Sequence, residues 1–158
     1  MEKKVLAQLV CYKRRAPLYN EVILFLKKAF EIDFDNITEQ NTHLLSETCN
    51  YLSIPFDYII YSQSKIEAEK KITNSGDWAY YISKELNATE YINPIDGQHL
   101  FDEKKFNNAD IKLSFLKNNF SSYSQRNNQF TPYLSILDVM MFNSKSDVKK
   151  LIDQFNIL

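Results

Sequence analysis

Three short runs of aromatic and β-branched residues alternate along the chain with stretches of helical spacing. The runs occupy residues 56–61, 89–93 and 111–116, with polar or charged segments between them. Such residues favour strands, and strands separated by helical segments form βαβ units with a parallel sheet. The sequence therefore predicts an α/β protein with a small, mostly parallel sheet flanked by helices. Its 158 residues favour a single domain over 1–158.

Apolar residues at helical spacing predict the helices that flank this sheet. The first covers residues 2–13, and the second begins at Pro17, which suits the first turn of a helix. Asn36 or Thr38 caps a third helix, and Pro55 ends it. Further helices are predicted over residues 78–86 with Asp77 as the cap, over 100–108 as a short helix or turn, and over 133–143 and 147–155, the last capped by Ser144 or Ser146.

The formal net charge of −1 argues against a protein that holds nucleic acid or anionic lipid by electrostatics alone. Lys13, Arg14 and Arg15 form the one tight basic cluster, which is either a solvated helix end or a phosphate-binding group. No apolar run is long enough to span a membrane, and no signal peptide follows Met1. We therefore expect a cytoplasmic protein without a nucleic-acid partner.

Glycine, cysteine and histidine are scarce, which excludes several kinds of site. The chain has two glycines and contains neither a G-x-G-x-x-G nor a Walker A sequence, so any nucleotide is held in another way. Cys11 and Cys49 have no metal-ligand spacing, and each is expected to be a buried free thiol. Two distant histidines complete no zinc site. We expect neither a metal nor a cofactor.

Polar residues follow the predicted strand at 89–93. Asn93 offers an amide at the strand end, although Asn-Pro also simply starts turns. Gly97 is expected to supply the positive φ of a turn. Gln98 is able to hydrogen-bond a polar substrate, and His99 is a candidate general base unless it is only a surface group. This segment is the first candidate site.

Several segments, in the same order, resemble the WbqC-like protein family. They are YKRRAPLY at 12–19, Gly76-Asp77, ATEYINPIDGQHLFDEKKF at 88–106, IKLSFL at 111–116, Tyr123-x-Gln125, Phe130 and LSILDV at 134–139. The resemblance implies an α/β protein of a kind often encoded among bacterial surface-polysaccharide genes, such as those for O-antigen or capsule. Some members are described as transferases that attach amino-acyl groups, glycine among them, to sugars.

One part of the family pattern has no match in this chain. Family members begin with a strand and loop that carry a Gln-Pro-x-x-x-Pro signature, followed by a hairpin rich in Trp, Asn and Arg. We therefore expect the chain to be truncated relative to the family and to represent its C-terminal portion. A sheet that lacks its first strand exposes unpaired backbone groups, so a homo-oligomer or a partner chain is expected to cover that edge.

The resemblance also implies site residues in the last third of the chain. Tyr123 and Gln125 match the family as a pair and are expected to bind substrate. Ser135 and Asp138 lie one helical turn apart and so share a face, where Ser135 is expected to bind substrate and Asp138 joins His99 as a catalytic candidate. Alternatively, both bond nearby backbone groups. No G-x-S-x-G elbow supports Ser135 as a nucleophile.

These observations leave three functions open. The first is group transfer to a sugar or nucleotide-sugar, with Asn93, Gln98, Tyr123, Gln125 and Asp138 lining one polar pocket at the strand ends. The second is a non-catalytic interaction or assembly module that pairs with another chain. The third is a decayed reading frame. Asp102 resembles a family position and is either a helix cap or a site carboxylate.

Overall fold

A computed structural model describes residues 2–68, 72–126 and 129–158 of the chain. The chain forms two compact units, each built from two separate stretches of sequence. Unit 1 comprises Met1–Tyr58 and Phe120–Gln154, and unit 2 comprises Ile59–Asn119 and Phe155–Leu158. The protein has the predicted α/β class, with helices and a small three-stranded sheet. The expectation of one domain stays a prediction.

The helices follow the predicted order and most are shorter than predicted, whereas the strands follow it only in part. The helices are α1 (Glu2–Leu9), α2 (Tyr19–Ala29), α3 (Ile37–Leu52), α4 (Asp77–Glu85), α5 (Glu103–Asn107), α6 (Ile136–Phe142) and α7 (Lys145–Ile152). The strands are β1 (Glu90–Pro94), β2 (Lys112–Asn118) and β3 (Phe155–Ile157). Short 3₁₀ turns cover Val10–Tyr12, Tyr61–Gln63 and Ile95–Leu100. Within the predicted loop at 117–129, residues 127 and 128 lie outside the described part of the chain.

Unit 1 is a group of helices around one apolar cluster. On α2, Val22, Leu26 and Ala29 recur at helical spacing and are all buried. Val22 and Leu26 pack with Met140 and Met141 of α6 and with the other residues of the cluster, which are Ala16, Leu52 and Val148. Each fully buried Val, Leu or Met side chain stabilises the fold by about 1.5–3 kcal/mol.

Polar side chains set the ends of the helices in unit 1. Asn36 accepts a hydrogen bond from the amide of Glu39 and begins α3, as one of the two predicted caps. Ser53 ends α3 in the left-handed conformation, two residues before Pro55. Ser144 caps α7 by accepting from the amide of Asp147. Local sequence therefore fixes these boundaries.

Unit 2 holds the sheet, in the order β1-β2-β3. β1 and β2 are parallel, with Tyr91 opposite Leu113 and Asn93 opposite Phe115. These four side chains share one face, because strand side chains alternate between faces. The rings of Phe106 and Tyr91 stack there with their centroids 5.8 Å apart, so α5, which carries Phe106, covers this face of the sheet.

The sheet differs from the predicted one in its third strand. Residues 54–60 form no regular structure, so the strand predicted at 56–61 is wrong. The third strand is β3, which pairs antiparallel with β2, and the helix predicted to continue to residue 155 ends at Ile152. Aromatic and β-branched residues favour a strand only when a partner is available, and the partner is a tertiary property. The sheet is therefore mixed.

Two further findings concern cysteine and hydropathy. Both cysteines are free, but Cys11 is exposed and Cys49 is half-buried, so the expectation of buried thiols is wrong. Cys11 lies in a short 3₁₀ turn that follows α1. Among the helices of the described residues, none is both long enough and apolar enough to cross a membrane.

Candidate functional site

A cleft of about 520 Å³ opens in unit 2. Two segments form most of its wall, one that leads into α4 and one that joins the 95–100 turn to α5. Its lining residues are Thr73, Asn74, Ser75, Gly76, Asp77, Tyr80, His99, Leu100, Phe101, Asp102, Lys105 and Phe106. Carboxylates, amides, hydroxyls and aromatic rings therefore surround one space that is large enough for a small polar ligand.

The chain before α4 wraps around the carboxylate of Asp77. The amide and the hydroxyl of Thr73 donate to Asp77 Oδ2 at 2.8 Å and 2.6 Å, and the amide of Asn74 donates to the same oxygen at 3.1 Å. Asp77 is the first residue of α4, and Gly76 takes the N-cap position that was predicted for Asp77. The carboxylate thus orders the segment that precedes the helix.

Lys105 of α5 donates a hydrogen bond to Asp77 Oδ1 and forms an ion pair with it. The Asp77 side chain is 4% exposed, whereas that of Lys105 is 30% exposed. The ammonium nitrogen also lies 4.7 Å from the ring centroids of both Tyr80 and Tyr81. A buried carboxylate and two aromatic rings therefore hold a partly exposed cation at the wall of the cleft.

The pair keeps both of its members charged. The hydrogen bond from Lys105, together with those from Thr73 and Asn74, holds the pKa of Asp77 well below its usual range. The same contact with Asp77 raises the pKa of Lys105. At neutral pH the cleft therefore presents an ammonium group, and not a free amine.

Of the residues predicted from the 89–99 segment, His99 lines the cleft. Its Nδ1 lies 3.1 Å from the backbone oxygen of Asp96. Asn93 is half-buried and bonds within the unit, since Tyr91 donates to its Oδ1 at 3.0 Å and its Nδ2 donates to Pro94 O at 2.8 Å. Gln98 is exposed beside His99.

Both glycines allow close approaches that shape this region, and neither has a positive φ. The expectation that Gly97 supplies a positive φ is therefore wrong. A Cβ on Gly97 would lie 2.4 Å from Asn93 Nδ2, and a Cβ on Gly76 would lie 2.0 Å from Leu100 O. Because Gly76 has no side chain, the segment before α4 is able to approach the backbone of Leu100, and both residues line the cleft.

A second polar cluster lies in unit 1 around the buried carboxylate of Asp138. Tyr123 donates to Asp138 Oδ2 at 2.5 Å, and Gln125 Nε2 donates to the same oxygen at 2.9 Å. The hydroxyl of Tyr12 also bonds to Asp138. Gln125 in addition pairs with the backbone of Thr131, accepting from its amide at 2.8 Å and donating to its carbonyl at 3.0 Å. The cluster therefore ties the 123–131 loop to α6.

Burial keeps the phenols of this cluster neutral. Burial is the larger cause and the hydrogen bond to Asp138 the next, and together they raise the pKa of both Tyr12 and Tyr123 to about 12. Ser135 lies beside the cluster in sequence and caps α6 by accepting from the amide of Leu137 at 3.3 Å. Ser135 thus bonds a nearby backbone group, as one of its two expected roles.

The predicted site residues thus fall into two groups, one in each unit. Tyr123, Gln125 and Asp138 come together in unit 1. Asn93, Gln98 and His99 belong to unit 2, and a single pocket shared by both groups stays a prediction. Asp102 caps α5 by accepting from the amides of Lys104 and Lys105, and it also lines the cleft. Its capping role is confirmed, and its role as a site carboxylate stays a prediction.

Sequence reasoning missed Lys105 and gave Asp77 only a capping role. The two residues are 28 positions apart, and nothing in their local patterns joins them. The segment ATEYINPIDGQHLFDEKKF contains Lys105, so the family resemblance was the available signal. Among the described residues, no group of three His, Cys, Asp or Glu side chains lies close enough together to hold a metal ion.

Comparison with known proteins gives one clear result. Neither the curated proteins nor the solved structures provide a match. The profile of the WbqC-like protein family matches residues 1–150, which is nearly the whole chain. The chain therefore belongs to the WbqC-like protein family.

Proposed function

We propose that this protein transfers an amino-acyl or related group to a sugar during the biosynthesis of a bacterial surface polysaccharide, such as O-antigen or capsule. Family membership supports the pathway, because the resemblance described above links the family to polysaccharide genes. The cleft in unit 2 is the proposed site, and the cytoplasm is the proposed compartment. The donor is an activated acyl compound, and the acceptor is a sugar or nucleotide-sugar.

The observation that carries the proposal is the placement of His99 in the cleft wall. A neutral imidazole that donates from Nδ1 to the carbonyl of Asp96 leaves Nε2 as its basic nitrogen. Nε2 has no hydrogen-bond partner among the residues that the structure describes. His99 is therefore able to take a proton from a sugar hydroxyl or amine, which is the general-base role that acyl transfer requires.

The remaining cleft chemistry suits a sugar ring. Asp102 and Asn74 offer acceptors and donors to hydroxyl groups, and Tyr80 adds aromatic surface to the wall. Gln98 and Asn93 adjoin the turn that carries His99, and we assign them to acceptor binding. The assignment of Tyr123, Gln125 and Ser135 to substrate binding stays a prediction.

A gene deletion in the native host tests the function. We expect the surface polysaccharide of the deletion strain to lose an amino-acyl substituent, as measured by mass spectrometry and NMR, and the wild-type gene to restore it. H99Q should fail to restore the substituent, because the amide is not a base. H43Q is the matched control, since His43 lies in unit 1 and contacts the backbone oxygen of Ala29. An unchanged polysaccharide in the deletion strain would refute the proposal.

A second candidate function is assembly through the sheet. β1 is the first strand in the sheet order, and β2 is the partner that the structure gives it, so its outer edge is open among the described residues. Ile92 on this strand is 46% exposed. An open edge with an exposed apolar side chain favours pairing with the same strand of a second copy.

Light scattering on the purified protein tests this alternative. A dimer that the I92K variant converts to a monomer would favour the assembly module. A wild-type monomer at all concentrations would rule it out. The two candidates are separable, because H99Q should leave the mass of the particle unchanged.

A further inference from the structure

We propose that the ammonium group of Lys105 binds the carbonyl oxygen of the acyl donor in this cleft and stabilises the oxyanion that forms during transfer. This inference rests on the proposed function, since it assigns a role within the same reaction. It names the group on the donor that the cleft recognises, which is an activated acyl carbonyl.

The position of the ammonium group supports this role. Lys105 lines the cleft with 30% of its side chain exposed, while its partner Asp77 is 4% exposed. An ammonium group has three N–H donors, and Asp77 accepts one of them. The other two have no hydrogen-bond acceptor in residues 2–68, 72–126 and 129–158. They are therefore available to an oxygen atom of a ligand.

Asp77 acts as the positioning residue for this cation. Hydrogen bonds from Thr73 and Asn74 hold one oxygen of its carboxylate, and the other oxygen accepts from Lys105. The carboxylate is therefore fixed in position independently of Lys105. The rings of Tyr80 and Tyr81 flank the ammonium at 4.7 Å each. A charge that is already in place does not need to reorganise when negative charge develops on a substrate, and this is the main electrostatic advantage of an enzyme site.

The protonation state of Lys105 excludes one alternative role. An amine acts as a nucleophile only when it is unprotonated. Asp77 favours the protonated form and raises the pKa of Lys105. The lysine is therefore suited to stabilising charge, and poorly suited to forming a covalent intermediate.

The proposed step balances with the groups named. The sugar oxygen or nitrogen attacks the acyl carbon, and His99 Nε2 takes its proton as the new bond forms. The electron pair of the C=O bond moves onto the oxygen, where Lys105 stabilises it. When the C=O bond re-forms, the bond to the leaving group breaks, and that group departs with its electron pair and accepts the proton from His99. No oxidant or reductant takes part.

The competing explanation is that Asp77 and Lys105 only hold α4 and α5 together. A structural ion pair is replaceable by two neutral side chains of similar size, because no charge then remains buried without a partner. A charge that stabilises the oxyanion is not replaceable in this way. The double variant D77N/K105M therefore separates the two explanations.

The test follows the incorporation of radiolabelled amino acids into the surface polysaccharide of the deletion strain that carries each variant. We expect K105M to lower the incorporation rate by about 100-fold or more, which is the usual effect of losing one oxyanion donor. K105R keeps the charge and should retain part of the rate. D77N/K105M should remain as inactive as K105M while its circular dichroism spectrum matches the wild type and its thermal unfolding stays cooperative. K104M is the matched control, since Lys104 is the exposed neighbour on the same helix and lies outside the cleft lining.

Each contrary outcome has its own meaning. Normal incorporation by K105M, or recovery of incorporation in D77N/K105M, would overturn the inference while H99Q still supports the proposed function. If the wild-type gene restores no substituent, the proposed function fails and the inference fails with it. If K105M does not fold, the other two variants test the inference. An inactive but folded D77N/K105M together with a partly active K105R would support it.

Discussion

The carboxylates of Asp77 and Asp138 are equally buried, yet their surroundings differ in kind. As a whole residue each is 3% exposed, and each accepts several hydrogen bonds. The donors to Asp138 are two phenols and an amide, which are neutral and serve to hold a loop against α6. Asp77 also accepts from neutral donors, but one of its partners is the ammonium group of Lys105 at the wall of a cleft.

This difference separates a structural use of a buried carboxylate from a chemical one. The donors given for Asp138 are neutral side chains of unit 1, so among the described residues this carboxylate holds no cation in place for a ligand. The Asp77 pair keeps a cation partly exposed where a ligand is able to reach it. Burial of a carboxylate therefore does not identify a site by itself, whereas a charged partner that faces a cavity marks a candidate site.

The largest expected effect on stability comes from Asp138. The D138A variant removes the acceptor of the half-buried hydroxyls of Tyr12 and Tyr123 and leaves the amide of Gln125 with the carbonyl of Thr131 as its acceptor. We expect the free energy of unfolding, measured in urea, to fall by about 3 kcal/mol. D147A is the matched control, because Asp147 is an exposed carboxylate in the same unit and should show a much smaller loss. Equal losses of unfolding free energy in D138A and D147A would show that the buried hydrogen bonds of Asp138 add no stability beyond that of an exposed carboxylate.

Gly76 tests how far the Asp77 region depends on backbone contact. A Cβ at this position would lie 2.0 Å from Leu100 O, and a backbone atom does not move aside easily. We expect G76A to lower the free energy of unfolding by about 2 kcal/mol through overpacking. G97A should cost less, because the clash at 2.4 Å is with the side-chain amide of Asn93, which is able to rotate. The reverse order would contradict this explanation.

A smaller effect is expected when one donor to Asp138 is removed. Y123F deletes a single hydroxyl and should lower the free energy of unfolding by about 1.5 kcal/mol at neutral pH. The pKa of Tyr123 is raised to about 12 from 10.0, so its stabilising contribution is complete below pH 10.0 and is lost as the pH rises towards 12. Urea unfolding across this range should therefore show a shallower decline for Y123F than for the wild type. An equal decline of the free energy of unfolding in both proteins would show that ionisation of Tyr123 does not cause the loss of stability.

The smallest expected effect is the acid dependence that Asp77 adds. The pKa of Asp77 is depressed below 3.8, so its contribution is complete above that value and is lost as the pH falls through the folded-state pKa. The urea midpoint of the wild type should fall between about pH 5 and about pH 3, and that of D77N should fall less. Glu90 and Asp147 also have a lowered pKa and contribute a decline that both proteins share. If the urea midpoint falls equally with pH in both proteins, Asp77 does not contribute to the acid dependence of stability.

Elements with strong local signals were predicted from the sequence. The apolar spacing of Val22, Leu26 and Ala29 gave α2, and the Asn36 cap gave the start of α3, because both signals act within a few residues. The β1 and β2 strands followed from short apolar runs next to turn signals. The parallel pairing of these two strands followed from the helical segment between them.

Features that depend on distant partners were not predicted. The run at 56–61 has strand-like residues but no strand forms there, whereas the short segment Phe155–Ile157 becomes a strand because β2 offers an edge. The same limit applies to the site. Tyr123, Gln125 and Asp138 were identified through the family resemblance, but the contacts that make them a cluster are tertiary. The pairing of Asp77 with Lys105 has no local signature at all.

The interleaved composition of the two units has a consequence for synthesis on the ribosome. Unit 1 needs residues up to Gln154, and unit 2 needs Phe155–Leu158 to supply β3. Neither unit is therefore complete until almost all of the 158 residues have left the exit tunnel. The early apolar helices therefore stay without their packing partners until the later stretches have been synthesised, and this delay exposes apolar surface to aggregation.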